Sequence, residues 1–521
     1  MRSANGNASG RRGAVDEHSG NAGRRPGRTE QSGSPSPSVA REGRDGLQMA
    51  PEFMRELAGQ AAEMLVQRIE GLHSQDAWDG DFREALEASL LEEPPEDGQP
   101  AGDVLRRAER EVLRFATRLD HPRCFAFVPS SPTWPGVLAD FLAAGYNINA
   151  VNWLVASGPS QVELVVLEWF RRWLGYPEGA GGIFTSGGSS ATLNALVAAR
   201  EAAGNPERPV VYLSDQTHGA VARAARVVGV APEHVRALPN RGLLGLDAEA
   251  LGAAIRQDRS AGLNPIVIAA NAGSASTGAV DPLPELADTA AAENLWLHVD
   301  AAYGGFAMLT EDGKRLLRGI ERADSVALDP HKWFFQGYEA GCLLVKDNRT
   351  LENAFAVRPD VLQDTVWGAN HPNLVDRSLQ TSRSFRALKV WVSVQTFGMA
   401  AFRQAVQQGI DLAAQAEDFV GTSPDLELVS PAQLGILCFR AKPSAELDEP
   451  ALERVNRKVL ARVFWEEPAL VSSTTVRGIF TLRLCILNHT TTWDDVRETL
   501  EAIARFGREA ADELAADPGG D

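Results

Sequence analysis

Certain short stretches of this chain carry side chains suited to chemistry. In SVALDPHKWFF, residues 325–335, Lys332 stands directly before Trp333, Phe334 and Phe335. An amine among aromatic rings has its charged form disfavoured, which lowers its pKa and frees a nucleophile suited to Schiff bases. One strand-like run earlier, LWLHVDAAYGG sets Asp300 at the end of an apolar segment, followed by small residues that leave room for something flat. In GGIFTSGGSSATLNALVAAR, residues 181–200, Gly187 and Gly188 let the backbone approach a ligand closely. The helix start behind them offers free N–H groups and a positive dipole to an anion, and Ser189 and Ser190 add hydroxyls. His218, in YLSDQTHGAVARAARVVG, ends another apolar run and begins a helix.

Each stretch alone has a plain structural alternative. The small-residue loop reads as a turn, Asp300 and His218 as helix caps, and Lys332 as a lysine with its stem on Trp333 and its head in water. Neither a Walker lysine pattern nor GxGxxG is present, so nucleotides are not indicated. Taken together, an anion cradle, a carboxylate, an amine and an imidazole at successive strand ends suit a flat, phosphorylated aldehyde with a basic ring nitrogen. Pyridoxal phosphate has that chemistry, with phosphate to the loop, ring nitrogen to Asp300 and aldehyde to Lys332.

The elements that must position these groups alternate along the chain. VVYLS (210–214), PIVIAAN (265–271), LWLHVD (295–300), SVAL (325–328) and CLLVK (342–346) read as strands, with Ala- and Leu-rich helical patterns between them. Continuous apolar strands alternating with helices predict an α/β fold with a mainly parallel sheet covered on both faces. Residues 1–46 are a Gly-, Ser-, Asn-, Pro- and Arg-rich tail expected to be disordered. A helical segment over 47–120, a large domain over 121–385 and a smaller α/β domain over 386–521 complete the expected organisation. The last of these opens on a long helical pattern and contains the strand-like runs LGILCFRA and FTLRLCIL.

Composition bounds the rest. A net charge of −18 over 521 residues gives no support to a nucleic-acid partner. The scattered Cys124, Cys342, Cys438 and Cys485 form no CxxC pair and suggest no metal site. With no membrane-length apolar run and no secretory signal, the expected location is the cytoplasm.

HPRCFAFVPSSPTWP, ASGPSQVELVVLEW, TSGGSSATLNAL, SDQTHGAV, HVDAAYGG, DPHKW and TSRSFRALKVW together resemble the pyridoxal-phosphate group II decarboxylases. That family includes the aromatic-L-amino-acid, glutamate, histidine and tyrosine decarboxylases, and the resemblance runs from about Leu47 to Leu514. It implies the fold type I, aminotransferase-like architecture, with a seven-stranded sheet and an obligate homodimer whose active sites lie at the interface. It makes Lys332 the internal-aldimine lysine and Asp300 the partner of the pyridine nitrogen. His218 stacks on one ring face and Ala302 packs on the other. Gly187, Gly188 and Ser189, helped by Ser274 in NAGSASTG, hold phosphate, and His331 lies near phosphate or substrate. Asp329 stands where many members carry asparagine.

The implied activity is decarboxylation of an L-amino acid to its amine and CO2, through an external aldimine and a quinonoid. Many members then reprotonate Cα with a tyrosine on a mobile loop. The matching segment, VRPDVLQDTVWGANHPNLVDRSLQTSRSFRALK, contains no tyrosine. An ungapped count from Phe385 sets Leu374 in that place, with His371 or His331 as substitutes. Members without the tyrosine can divert the intermediate to oxygen and yield aldehyde, ammonia and CO2, so an aldehyde synthase is the alternative, with an aminotransferase beside it. A catalytically retired binding protein is disfavoured, because every cofactor position is chemically competent. The family's side-chain pocket here reads Phe127, Val128, Ser130, Asn149, Val151 and Trp153. It is less aromatic and more polar than in the aromatic-amino-acid enzymes, and leaves an acidic or polar substrate as open as tryptophan or tyrosine.

Overall fold

Apolar runs of four to eight residues become strands here because helices cover both faces of the sheet they form. The computed structural model describes residues 46–240, 245–357 and 371–516. Its strands are β1 (Gly181–Thr185), β2 (Pro209–Ser214), β3 (Val235–Leu238), β4 (Asn264–Asn271), β5 (Trp296–Asp300), β6 (Ser325–Leu328) and β7 (Gly341–Val345). They lie in the order β1-β7-β6-β5-β4-β2-β3 within one seven-stranded sheet. Neighbours pair in parallel from β6 through β3, whereas β7 runs antiparallel to both β6 and β1. The expected mainly parallel α/β sheet is therefore present, with β7 as its antiparallel member.

Sequence patterning does not mark β3. It is a four-residue edge strand, only partly buried, whose Arg236 reaches out to pair with Asp258 at 2.6 Å. Such an edge does not need the apolar run of a central strand.

A second sheet, all antiparallel, contains β8 (Leu426–Gln433), β9 (Ile436–Ala441), β10 (Ser472–Val476) and β11 (Ile479–Cys485) in the order β10-β11-β9-β8. Its central strands β9 and β11 are the two that the apolar pattern announces; the flanking β8 and β10 are polar and half-exposed. The helix Ala387–Thr422 contributes to both cores and bends at Gly398, whose φ is 70°. The chain at 123–125 also joins the second sheet: Phe125 N–H donates to Leu470 at 2.7 Å, and Cys485 N–H donates to the Phe125 carbonyl at 2.9 Å. Among the described residues no helix is long and apolar enough to cross a membrane.

One buried ion pair ties three segments of the large sheet together. Arg383 Nη2 meets Glu163 Oε1 at 2.6 Å, and neither side chain has solvent exposure. The same guanidinium donates to the carbonyls of Ala150 and Phe184, and Glu163 accepts the N–H of Phe184. The helix Trp153–Leu174, strand β1 and the approach to the helix Ala387–Thr422 are thereby fixed to one another. Removing one partner strands the other charge in a dry interior. Glu163→Gln is expected to destabilise the fold by about 3–5 kcal/mol, read as a lower urea midpoint. An apolar pair at both positions is expected to recover only part of this, because the backbone groups of Ala150 and Phe184 lose their partners as well.

Candidate active site

Parallel strands deliver their carboxyl ends to one edge of the sheet, and the candidate residues collect there. A cavity of about 360 Å³ is lined by Gly187, Gly188, Ser189, His218, Asp300, Ala302, His331 and Lys332, among others. Lys332 follows β6 through the turn Asp329–Lys332, closed by a 2.9 Å bond from Lys332 N–H to the Asp329 carbonyl. Pro330 sits second in that turn, where its fixed φ suits it. The turn brings Lys332 Nζ to 3.1 Å from Asp329 Oδ2.

The aromatic residues after the lysine do not surround its amine. Trp333, Phe334 and Phe335 are all buried, with Trp333 stacked on Tyr303 and Phe334 on Phe402 at ring separations of 5.5 and 4.4 Å. They anchor the backbone while the amine faces carboxylates. Burial opposes the charged amine, but Asp329 and then Asp300 outweigh it, so the pKa of Lys332 is raised rather than lowered. The expectation of a depressed pKa fails because it counted neighbours along the chain and not across the cavity.

Asp300 closes β5, and its Oδ1 accepts the N–H of Ala302 at 3.2 Å, which fixes the carboxylate at the cavity edge. Gly187 and Gly188 turn the chain from β1 into the helix Gly188–Ala202. A Cβ added at Gly188 would lie 2.9 Å from the Ala302 Cβ and 3.1 Å from Asp329 Oδ2, so this close approach requires glycine. Gly341 is equally constrained, since its Cβ would meet the Gly187 Cα at 2.3 Å. His218 serves two readings at once: its Nδ1 caps the helix Gly219–Val227 by accepting from Ala220 N–H at 3.3 Å, and its ring lines the cavity.

Other expected residues lie elsewhere. Ser274 does not line the cavity; its hydroxyl is spent on Thr277 at 3.0 Å, and Gly273 and Ala275 are the lining neighbours. His371 stacks on Trp153 with ring centroids 4.6 Å apart, outside the cavity lining. Asn149 accepts the backbone N–H of Arg383, Ser130 is buried, and Val128 packs on the main core. Phe127 takes a left-handed φ of 58° and leaves its ring exposed. None of these lines the cavity. Leu374 is fully buried with Ile183 and Ala191 and holds no position over it. The segment 358–370, where the sequence lacks a tyrosine, lies outside the described residues.

Sequence reasoning missed Tyr338, Glu339 and Asn271 as cavity-lining residues. Tyr338 lies within the run WFFQGYEAG, and its ring centroid is 4.4 Å from that of His331. A phenol six residues past the lysine was the available signal.

Residues 84–442 match the pyridoxal-dependent decarboxylase conserved domain. The chain belongs to that family. It is 39% identical over 470 residues to the aromatic-L-amino-acid decarboxylase of Bacillus atrophaeus, covering 90% of this chain and 98% of that one. A phenylacetaldehyde synthase of Arabidopsis thaliana is 32% identical, covering 80% of this chain and 88% of its own. The crystal structure of Oryza sativa TDC with PLP and tryptamine superposes with a TM-score of 0.86 at 28% identity, over 89% of this chain and 99% of that chain. The fold is thus fold type I, the protein is a pyridoxal-phosphate-dependent amino acid decarboxylase, and pyridoxal phosphate is its cofactor.

The residues present fit that group. An amine, a carboxylate and a turn too close for any Cβ meet in one cavity. Gly188→Ala is expected to keep the fold and raise the dissociation constant for pyridoxal phosphate by roughly tenfold or more, since about 1.4 kcal/mol of lost contact gives that factor. Titration of cofactor fluorescence or absorbance measures it.

Behind the turn, His298 couples β5 to the helix Gly188–Ala202. Its Nδ1 lies 2.9 Å from Ser325 Oγ, and its Nε2 lies 3.2 Å from Thr192 Oγ1. Complete burial pushes its pKa down to about 4. The unfolded chain binds this proton more readily, so the stability contributed by the neutral ring is present above the ordinary value of 6.5 and is lost as pH falls toward 4. At about 1.4 kcal/mol per unit this amounts to at most about 3.5 kcal/mol. His298→Gln is expected to flatten the pH dependence of the urea midpoint across that window.

Proposed function

We propose that the protein removes the α-carboxylate of an L-amino acid as CO2 and releases the amine, with Lys332 as the lysine that carries the cofactor. The reading rests on one observation: Lys332, Asp300 and the Gly187–Ser189 turn share a cavity at the strand ends. When bound, the cofactor supplies a ring that accepts electrons from the substrate Cα. Asp300 would keep the ring nitrogen protonated, and the backbone N–H groups opening the helix Gly188–Ala202 would receive phosphate. His218 and Ala302 line the same cavity and would cover the two faces of that ring. Tyr338 is half exposed and lines the cavity, and a phenol keeps its proton at neutral pH. We assign it the proton that Cα needs, in place of the loop tyrosine the sequence lacks.

An aromatic L-amino acid is the substrate class favoured by the 39% identity to an enzyme named for that class. Aldehyde formation is the second reading, supported by the tyrosine-free segment and by the phenylacetaldehyde synthase relative. In the same reading the segment to residue 120 serves dimer contacts, residues 121–385 bind cofactor and the remainder forms the C-terminal domain. The helix Pro51–Glu70 buries no residue and exposes Met54, Leu65 and Ile69. The helix Trp134–Gly145 exposes Leu138, Phe141 and Leu142. Apolar faces of this kind support a homodimer with its active sites at the interface. The four cysteines are buried free thiols, which suits a reducing cytoplasm.

With a panel of L-amino acids read by mass spectrometry, the expected products are amine and CO2; aldehyde and ammonia would establish the second reading. Lys332→Ala is expected to lose the visible cofactor absorbance that borohydride traps, and its retention would remove the lysine assignment. Tyr338→Phe is expected to lower amine formation by about 10² or more and to raise the aldehyde share. Sedimentation equilibrium is expected to give the mass of two chains.

A further inference from the structure

The cofactor reading gives Asp329 no task, although this carboxylate lies at the centre of the site. Its side chain is almost fully buried, and its Oδ2 faces Lys332 Nζ at 3.1 Å and His331 Nε2 at 3.4 Å. His331 Nδ1 accepts the N–H of Ala340 at 3.1 Å, so a neutral ring carries its proton on Nε2, on the side of Asp329. Burial lowers the His331 pKa and favours that neutral ring. The carboxylate is thus approached by donors from two sides, and its Oδ1 has no hydrogen-bond partner among the described residues. The proline turn 329–332 fixes Asp329 and Lys332 on the same side of the chain, so their meeting is built into the backbone.

We propose that Asp329 is the counter-ion of the released lysine: it holds Lys332 as an ammonium whenever the amine is not joined to an aldehyde, and so sets the pH at which the lysine re-engages. The proposal rests on Lys332 being the cofactor lysine. Joining the amine to an aldehyde needs the neutral form. The ammonium first gives its proton to solvent; the nitrogen lone pair then adds to the aldehyde carbon, and one water leaves as C=N forms. In the other direction, an incoming amine expels Lys332, which takes up a proton from solvent, and Asp329 receives the resulting charge. An asparagine at this position would offer a hydrogen bond without the countercharge. Asp329 is therefore a positioning residue that acts through Lys332.

Other groups also face the amine. Asp300 and Tyr338 act on it from β5 and from the segment after the turn, and His331, Glu339 and His218 line the same cavity. Asp329 leads Asp300 and Tyr338 in raising the lysine's pKa against the opposing effect of burial.

The test is trace acetylation of the cofactor-free full chain with acetic anhydride across pH, with occupancy of Lys332 read by peptide mass spectrometry. In the wild type, half-maximal reactivity is expected above the pH found for surface lysines of the same chain. Asp329→Asn is expected to move it down by about one pH unit, which is about tenfold more reactivity at a fixed pH below the midpoint. Asp329→Glu is expected to keep the wild-type profile, and the rate at which added pyridoxal phosphate develops its visible absorbance is expected to shift in parallel. A profile unchanged by Asp329→Asn would overturn the proposal, and so would a wild-type midpoint at or below that of surface lysines, which needs no variant to fold. Because labelling uses no cofactor, its failure leaves the Lys332 assignment standing; that assignment fails separately, by borohydride trapping in Lys332→Ala.

Discussion

The contact between Lys332 and Asp329 sets the terms on which the rest of the site is built. A primary amine in a protein interior has to be kept charged by a neighbour or lose its proton. Here the neighbour lies three residues away across a proline turn, at 3.1 Å. That turn begins where β6 ends at Leu328, with β5 and β7 paired on either side of it. Asp300 enters from β5 and Gly188 from the helix after β1, while Asp329 and Lys332 share the turn after β6. The site is the place where the sheet's edge brings these elements within a few ångströms.

Much of this was legible in the sequence. Central strands such as SVAL and PIVIAAN announce themselves because burial on both faces fills most positions with apolar side chains. The Gly187–Gly188 turn and Asp300 could be read because they recur with Lys332 and His218 at successive strand ends, a set that one cofactor would use together. What stayed hidden was whatever depends on packing across the chain. The antiparallel direction of β7 has no local signature. Strands β3, β8 and β10 lie at sheet edges and carry polar residues that imitate loops. Ser274 has the residue type of a phosphate ligand, yet Thr277 captures its hydroxyl. Leu374, assigned by counting, is a core residue, because counting along a chain without a sheet to hang it on carries no information about direction.

The interior also separates stability from chemistry. Glu163 and Arg383 are sealed with no exposure and tie three segments together, while His298 joins β5 to the helix Gly188–Ala202 in its neutral form. Neither touches the cavity, and both hold the elements that do. Polar groups so placed demand a particular geometry, because misplacing any of them leaves a buried donor or acceptor unpaired.

The three aromatic residues after Lys332 complete this division. Trp333 lies against Tyr303, Phe334 against Phe306 and Phe402, and Phe335 against His489, so their rings face the core beneath the turn. A lysine on a loop of ordinary composition would carry its amine with the loop's own motion, and a misplacement of about 1 Å is costly in a reacting pair. Fixing the backbone from below leaves the four-carbon stem of Lys332 as the movable part. The amine then faces Asp329 and Asp300 across the cavity, and its charge is decided by carboxylates rather than by the rings beside it in the sequence.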